Sequence, residues 1–124
     1  MILIDSSCWI EYFAGTKFAN IIEGIVRTPS EIIVPTIVIA EIFKKIASER
    51  DESTAYMICS QFKKCKIIDL DFDLATSAAK YGRLHKLAMA DSIIYATAQQ
   101  FSAKVYTMDA HFAGLENVYY TAKN

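Results

Sequence analysis

The chain has 124 residues, of which 53% are hydrophobic and 22% are charged, and its formal net charge at pH 7 is -1. This length and apolar content predict a single folded domain over residues 1–124 and argue against a disordered chain. A charge so close to zero creates no overall field that attracts nucleic acid or a membrane, so any such contact depends on a local patch. No apolar stretch is long enough to span a bilayer, and the N-terminal "MILIDSS" lacks the basic start of a signal peptide. We therefore expect a cytoplasmic protein without a membrane contact.

The cysteines also favour a reducing compartment. Cys8, Cys59 and Cys65 are odd in number and have no Cys-x-x-Cys spacing, which is typical of free thiols in a cytosolic protein. The two histidines, His85 and His111, lie near no cysteine pair in the sequence. The pattern therefore does not indicate a zinc site.

Short apolar runs that suit buried strands alternate along the chain with longer segments that suit helices. The predicted strands are "MILI" at 1–4, "EIIVP" at 31–35, "KIIDL" at 66–70 and "AKVYTMD" at 103–109, with "NVYY" at 117–120 as a candidate fifth. The predicted helices are "DSSCWIEYFAG" at 5–15, "FANIIEGIV" at 18–26, "TIVIAEIFKKIASER" at 36–50 with Thr36 as N-cap, "DESTAYMICSQFKKC" at 51–65, "DFDLATSAAKYGRL" at 71–84, and a last one from "LAMADSIIYATA" to about Phe101. This alternation predicts an α/β sandwich with a mostly parallel sheet.

Four carboxylates are placed to meet at one edge of this sheet. Asp5 follows the first strand directly, and Asp109 follows the strand "KVYT" after one residue. Glu41 lies among apolar neighbours in the helix after the second strand. Asp91 either lies inside one long helix or is the N-cap of a helix that starts at Ser92. Both placements bring it towards the edge of the sheet where open α/β folds bind their ligands.

Each carboxylate also has a simple structural explanation. Asp5 and Asp109 would serve as helix caps, and Glu41 would pair with Lys44 or Lys45, although such pairs contribute only about 0.2–0.5 kcal/mol. Taken together, four carboxylates at one edge would repel one another and destabilise the fold unless a cation lies among them. Oxygen ligands without histidine or cysteine suit Mg²⁺ or Mn²⁺. Such a site can activate water for displacement at phosphorus.

Four segments of the chain resemble, in order, the four acidic motifs of the PIN-domain family, and the likeness is greatest to its VapC-type toxins. These segments are "MILIDSSCWIEYF", "PTIVIAEI", "LAMADSIIYATA" and "VYTMDAHF". Each motif alone carries little information, but all four in order cover essentially the whole chain. The resemblance implies an α/β/α sandwich with a central sheet of four to five strands. It also implies a Mg²⁺- or Mn²⁺-dependent endoribonuclease that is the toxin of a toxin–antitoxin pair.

The resemblance also assigns roles to residues of this sequence. It implies that the four carboxylates are catalytic and hold the metal, with Asp5 and Asp91 in direct contact. Glu41 and Asp109 would position the metal through water or orient the attacking water. Thr107 matches the hydroxyl position before the last acidic residue. Ser6 matches a position where the family usually has threonine or serine, and both hydroxyl residues are included in the expected catalytic set.

The implied partners are an RNA substrate, a cognate antitoxin and a second copy of the chain. A water nucleophile would leave a 5′-phosphate and a 3′-hydroxyl on the RNA. Basic residues near the acidic motifs are candidates for contacts with RNA phosphates, although each also fits an ordinary solvated helix face. They are Lys44, Lys45, Lys80, Arg83 and Lys86. By resemblance, the antitoxin docks around the first helices, where Trp9, Tyr12 and Phe13 form an aromatic cluster.

Other classes of protein fit the sequence less well. A haloacid dehalogenase-type phosphatase needs Asp-x-Asp after the first strand, where this chain has Asp5-Ser6-Ser7. A receiver domain needs an acidic neighbour of Asp5, and nucleotide-binding loops need glycines that the chain lacks. No Gly-x-Ser-x-Gly marks a serine nucleophile. A non-catalytic PIN-like regulatory or protein-binding domain remains the main alternative, and failure to bind a divalent ion would favour it.

Overall fold

The computed structural model describes residues 1–15 and 19–122, and within them five strands form one parallel sheet. The strands are β1 (Ile2–Ile4), β2 (Ile32–Pro35), β3 (Lys66–Ile68), β4 (Lys104–Thr107) and β5 (Val118–Tyr120). Their order in the sheet is β3-β2-β1-β4-β5, and every neighbouring pair is parallel. The candidate fifth strand is therefore confirmed, and the sheet is entirely parallel.

Six α-helices flank the sheet within the described residues, as parallel strands require crossover connections. They are α1 (Ser6–Ala14), α2 (Ala19–Val26), α3 (Thr36–Glu49), α4 (Glu52–Cys59), α5 (Phe72–His85) and α6 (Met89–Gln100). Short 3₁₀ turns cover Pro29–Glu31, Ser60–Lys64 and Ala110–Phe112. The expected α/β/α sandwich is confirmed. Phe18, placed in the second predicted helix, lies outside the described residues.

Two predicted helix starts are wrong. Thr36 is not the N-cap of α3 but its first helical residue, because Pro35 is still extended and takes the cap position without a side-chain bond. The placement of Asp91 inside a helix is confirmed, and the alternative that Asp91 is the N-cap of a helix starting at Ser92 is wrong. Here α6 begins at Met89, so Asp91 lies inside its first turn.

The central strands supply the middle of the core. Leu3, Ile4, Ile33 and Val34 are fully buried, as expected for strands that are covered on both faces. Asp51 caps α4 and Asp71 caps α5 through bonds to backbone N–H groups. No helix within residues 1–15 and 19–122 combines the length and the apolar character needed to cross a membrane.

A close contact between Gly82 and Ser92 brings α5 against the first turn of α6, next to Asp91. A Cβ atom on Gly82 would lie 2.5 Å from Ser92 Oγ and 3.4 Å from Ser92 Cβ. The Ser92 hydroxyl is held in place because it donates a hydrogen bond to Ala88 O at 2.9 Å. The absence of a side chain at position 82 therefore sets how closely the helix that carries Asp91 approaches its neighbour.

We predict that Gly82→Ala lowers the free energy of unfolding by about 1–3 kcal/mol, because overpacking outweighs the better helix propensity of alanine. In a Ser92→Ala background the same change should stabilise the fold, since the clashing oxygen is gone. Gly24→Ala in α2 is the matched control, because open space surrounds Gly24. Urea unfolding measures all five proteins: the wild type, the three single variants and the double variant. Equal effects of Gly82→Ala in both backgrounds would show that the contact with Ser92 Oγ does not cause the loss of stability.

Candidate active site

Asp5 is a buried carboxylate at the carboxyl end of the central strand. Its side chain is only 3% exposed. It accepts hydrogen bonds from the Ser6 backbone N–H at 2.8 Å, the Ser7 hydroxyl at 3.0 Å and the Thr107 hydroxyl at 2.8 Å. Asp5 is also the N-cap of α1, so the simple structural explanation holds as well. A residue that only caps a helix, however, does not need to be buried as deeply as Asp5 is.

Thr107 connects the ends of β1 and β4. Besides donating to Asp5, its fully buried hydroxyl accepts a hydrogen bond from the Asp109 backbone N–H at 2.9 Å. Because β1 and β4 are neighbours in the sheet, with Ile4 opposite Tyr106, the side chains of Asp5 and Asp109 reach the same cavity. This is the edge where the chain switches from one side of β1 to the other, the usual ligand position in open α/β sheets.

Glu41 reaches the same place from α3. One of its carboxylate oxygens, Oε1, is buried and has no hydrogen-bond partner among the described residues. A polar atom of this kind costs about 1–3 kcal/mol unless another group satisfies it. The expected pairing with Lys44 or Lys45 is not what holds Glu41, because Lys45 forms its ion pair with Glu49 at 2.6 Å.

The four carboxylates line one cavity of about 450 Å³ at the carboxyl edge of the sheet. The structure therefore brings together all four acidic residues singled out from the sequence, together with the hydroxyl residue Ser6. The full lining is Asp5, Ser6, Ser7, Ile10, Glu11, Glu41, Lys45, Asp91, Met108 and Asp109. Thr107 lies directly beneath, bonded to Asp5.

Crowding of these acids shifts their protonation. Burial raises the pKa of Asp91 to about 6, and the charges of Asp109, Asp5 and Glu41 add to the rise. Burial raises the pKa of Asp5 as well, although the bonds from its hydroxyl and amide neighbours lower it in part. The pKa of Glu41 is raised by burial first and by Asp5 second, with a hydrogen bond from Ser6 opposing the rise. Neutralisation of this site by a cation would remove the cost of holding these groups ionised.

His111 is a neighbour of the site that sequence reasoning missed. Its Nδ1 lies 2.7 Å from Asp109 Oδ1, and one ring nitrogen lies within 4.8 Å of carboxylate oxygens of both Asp91 and Asp109. The Asp-x-His spacing in "MDAHF" was the available signal. It carries little information by itself, because a two-residue separation places two side chains together only in particular turns, and here a 3₁₀ turn does so.

The candidate RNA-binding residues separate into two groups. Lys45 lines the acidic cavity, and Lys44 joins it along an adjoining cavity of about 440 Å³ that follows α3 and reaches Ser48. Arg83 lies in the last turn of α5 and Lys86 is its C-cap, and neither lines these two cavities. Lys80 lies in α5 as well and does not line these two cavities either. Contacts of all five with RNA stay a prediction.

Cys8 does not act as a nucleophile in this arrangement. It is buried, and burial raises the pKa of its thiol to about 12, with the nearby Asp5 charge adding to the shift. A thiol in this state is not ionised near neutral pH and is therefore unreactive. All three cysteines are free.

The parallel sheet and the cavity of four carboxylates at its carboxyl edge define a class of α/β protein with an acidic site of the kind that holds divalent ions. Within that class the chain belongs to the PIN-domain family, whose family model matches residues 2–117. Comparison of the sequence with curated proteins gave no match.

Solved structures share the fold over nearly the whole chain. A toxin–antitoxin complex from Klebsiella pneumoniae has a TM-score of 0.80 at 24% identity and covers 98% of this chain and 100% of that one. DNA-bound VapBC from Salmonella typhimurium gives 0.74 at 14%, covering 98% of both chains. VapC20 of Mycobacterium tuberculosis, described as a sarcin–ricin loop cleaving toxin, gives 0.77 at 16%, covering 95% and 97%. At these identities the likeness shows the fold.

We predict that, without divalent ions, the contribution of Asp91 to the free energy of unfolding decreases as the pH rises from about 4 to about 6. The ordinary pKa of this group is 3.8 and its folded pKa is about 6. In that range the folded state therefore binds more protons than the unfolded state, and stability decreases with pH. Denaturant unfolding between pH 4 and 8 measures this as the difference between wild type and Asp91→Asn.

The matched control is Asp73→Asn, which removes an exposed carboxylate from the first turn of another helix. Its difference from wild type should not follow the same pH course. A parallel pH profile for wild type and Asp91→Asn would contradict the raised pKa of Asp91.

Proposed function

We propose that the chain is a metal-dependent endoribonuclease and the toxin component of a toxin–antitoxin pair. The observation that carries the proposal is the convergence of Asp5, Glu41, Asp91 and Asp109 on one cavity, with Asp5 buried and a Glu41 oxygen left without a partner among the described residues. Membership of the PIN-domain family supports it. So do the similar structures, which include a toxin–antitoxin complex and a sarcin–ricin loop cleaving toxin.

The residues of the cavity fit Mg²⁺ or Mn²⁺. Carboxylate oxygens are the ligands that both ions prefer, and the unpartnered Glu41 Oε1 is an acceptor in need of a positive group. Asp5 and Asp91 would contact the ion, and Glu41 and Asp109 would act through water. When bound, such an ion stabilises charge on phosphate oxygens and lowers the pKa of a water molecule.

The chain itself supplies the remaining parts of the mechanism. The hydroxyls of Ser7 and Thr107 hold the Asp5 carboxylate in one orientation, which keeps a ligand in place before the substrate arrives. Glu41 is the candidate to accept a proton from the attacking water, because burial raises its pKa towards the range useful for a general base. Attack in line on the phosphate leaves a 5′-phosphate and a 3′-hydroxyl.

The substrate strand would leave the acidic cavity along α3. The adjoining cavity there is lined by Lys44 and Lys45 as well as by Glu41 and Glu49, and a phosphate next to the cut would bind at its two lysines. Lys45 would exchange its exposed ion pair with Glu49 for a phosphate, at little cost because exposed pairs contribute about 0–1 kcal/mol. Arg83 and Lys86 would contact phosphates farther from the cut.

The cognate antitoxin would dock in an apolar cleft of about 200 Å³ beside α1. Trp9, Tyr12, Phe13 and Phe62 line it, and the buried Nε1 of Trp9 has no hydrogen-bond partner among the described residues. A backbone carbonyl of a bound peptide would satisfy that donor while apolar side chains fill the cleft. The cleft lies beside the first helices, where the resemblance to VapC-type toxins places the antitoxin.

A homodimer and a cytoplasmic location complete the proposal. Tyr56 and Met57 on α4 are 68% and 62% exposed, and Tyr56 packs edge-on against Phe43 of α3. This apolar surface is a candidate for the contact between two copies. RNA and reduced thiols are both found in the cytoplasm.

We predict that Asp91→Asn abolishes stabilisation by Mn²⁺ and lowers RNA cleavage at least about 100-fold, the loss expected when an electrostatic stabiliser of the transition state is removed. Thermal melts with and without millimolar Mn²⁺ come first, because they need no knowledge of the RNA target. Cleavage of single-stranded RNA with end-group analysis follows. Asp73→Asn should behave like the wild type in both assays, since its carboxylate is exposed and distant from the cavity lining.

The outcome separates the two candidate functions. If neither Mn²⁺ nor Mg²⁺ raises the melting temperature of the wild type and RNA stays intact, the non-catalytic regulatory or protein-binding domain becomes the better interpretation. Equal cleavage by wild type and Asp91→Asn would show that the activity arises elsewhere.

We predict that antitoxin binding changes the fluorescence emission of Trp9, the single tryptophan of the chain. Trp9 is only 4% exposed, so the change would come from packing of the ligand in the cleft and from its acceptance of a hydrogen bond from Nε1. The change should persist in Asp91→Asn, because the cleft and the acidic cavity have no lining residue in common. Complex formation by sedimentation without any change in emission would place the antitoxin on another surface.

A further inference from the structure

We propose that His111 is a ligand of the bound metal, and that its imidazole makes this site favour Mn²⁺ over Mg²⁺. The inference rests on the metal-dependent function proposed above. It adds a nitrogen ligand to a site whose four acidic motifs supply only oxygen.

The distances permit shared coordination. One oxygen each of Asp91 and Asp109 and one ring nitrogen of His111 all lie within 4.8 Å of one another. Ligand atoms on one octahedral ion of this size are about 3 Å apart when adjacent and about 4 Å apart when opposite. The Asp91 oxygen and the His111 nitrogen are therefore close enough to bind one ion, with the Asp109 oxygen beside them to act through water on that ion.

The backbone around His111 is already fixed in the required place. The His111 backbone N–H donates to Asp109 Oδ1 at 2.9 Å, and the Phe112 N–H donates to Asp109 O at 3.1 Å. Phe112 is fully buried and anchors the turn in the core. The imidazole itself is 76% exposed, so it is open to an ion that arrives from solvent. The turn is fixed, and the contact with Asp109 Oδ1 holds the exposed ring beside the acidic residues, as a preorganised ligand requires.

The competing explanation is that His111 only orients Asp109 through the 2.7 Å contact between Nδ1 and Oδ1. The two roles differ in their chemistry. An imidazole ligand strengthens binding of transition ions relative to Mg²⁺, modestly for Mn²⁺ and more strongly for Co²⁺. An orienting hydrogen bond would change the affinity for all of these ions by a similar factor.

The probe is Mn²⁺ alone, bound to the whole chain. Pulsed electron paramagnetic resonance detects a nitrogen that is directly coordinated to Mn²⁺, and selective ¹⁵N labelling of histidine identifies it. We expect a directly bound ¹⁴N in the wild type that is replaced by ¹⁵N on labelling and is absent in His111→Asn. Asparagine keeps a donor for Asp109 but cannot supply an imidazole nitrogen.

The matched control is His85→Asn, because His85 is the only other histidine of the chain and stacks on Tyr81 away from the cavity lining. It should keep the nitrogen signal. Calorimetric titration should show that His111→Asn weakens Mn²⁺ binding about tenfold or more, the scale of losing one supporting group at a metal site. Its effect on Mg²⁺ binding should be clearly smaller.

Failure of this inference is distinguishable from failure of the proposed function. Mn²⁺ binding that is lost in Asp91→Asn but shows no bound nitrogen would overturn the role of His111 and leave the metal-dependent function standing. Equal loss of Mg²⁺ and Mn²⁺ affinity in His111→Asn would overturn it in favour of the orienting role. Absence of Mn²⁺ binding to the wild type would overturn both proposals.

Discussion

The burial of the Asp5 carboxylate is the constraint on which the rest of this structure depends. A charge that is 3% exposed at the centre of the sheet is tolerable only because Ser6, Ser7 and Thr107 donate hydrogen bonds to it. The last of these bonds comes from a residue 102 positions away. It therefore requires β1 and β4 to be neighbours in the sheet. The other acidic side chains meet in one cavity at the switch point that this strand order creates.

The same constraint creates an electrostatic conflict. Burial and mutual repulsion raise the pKa values of Asp5, Glu41 and Asp91. These groups therefore destabilise the metal-free fold most at a pH where all three are ionised. Functional sites commonly hold such strained arrangements, which the surrounding core stabilises. A divalent ion among the carboxylates would turn this repulsion into attraction and couple metal binding to stability.

The first helix belongs to both proposed sites. Ser6 and Ile10, four residues apart, line the acidic cavity, whereas Trp9 and Phe13, also four residues apart, line the apolar cleft. Residues at this spacing share one face of a helix, so α1 presents one face to each site. The helix whose N-cap is Asp5 therefore borders both the acidic cavity and the apolar cleft.

The sequence by itself determined the elements and their chemistry. Apolar runs and the cap Asp5 located strands and helices, and the placement of Asp5 and Asp109 followed from their positions after strands. These signals depend only on neighbours in the chain. Only the tertiary structure decided the strand order, the start of α6, the unpartnered Glu41 oxygen and the approach of His111 to Asp91. Those features arise from contacts between distant segments, and local periodicity carries no information about them. The acids could therefore be predicted as a set, whereas the geometry that makes them one site could not.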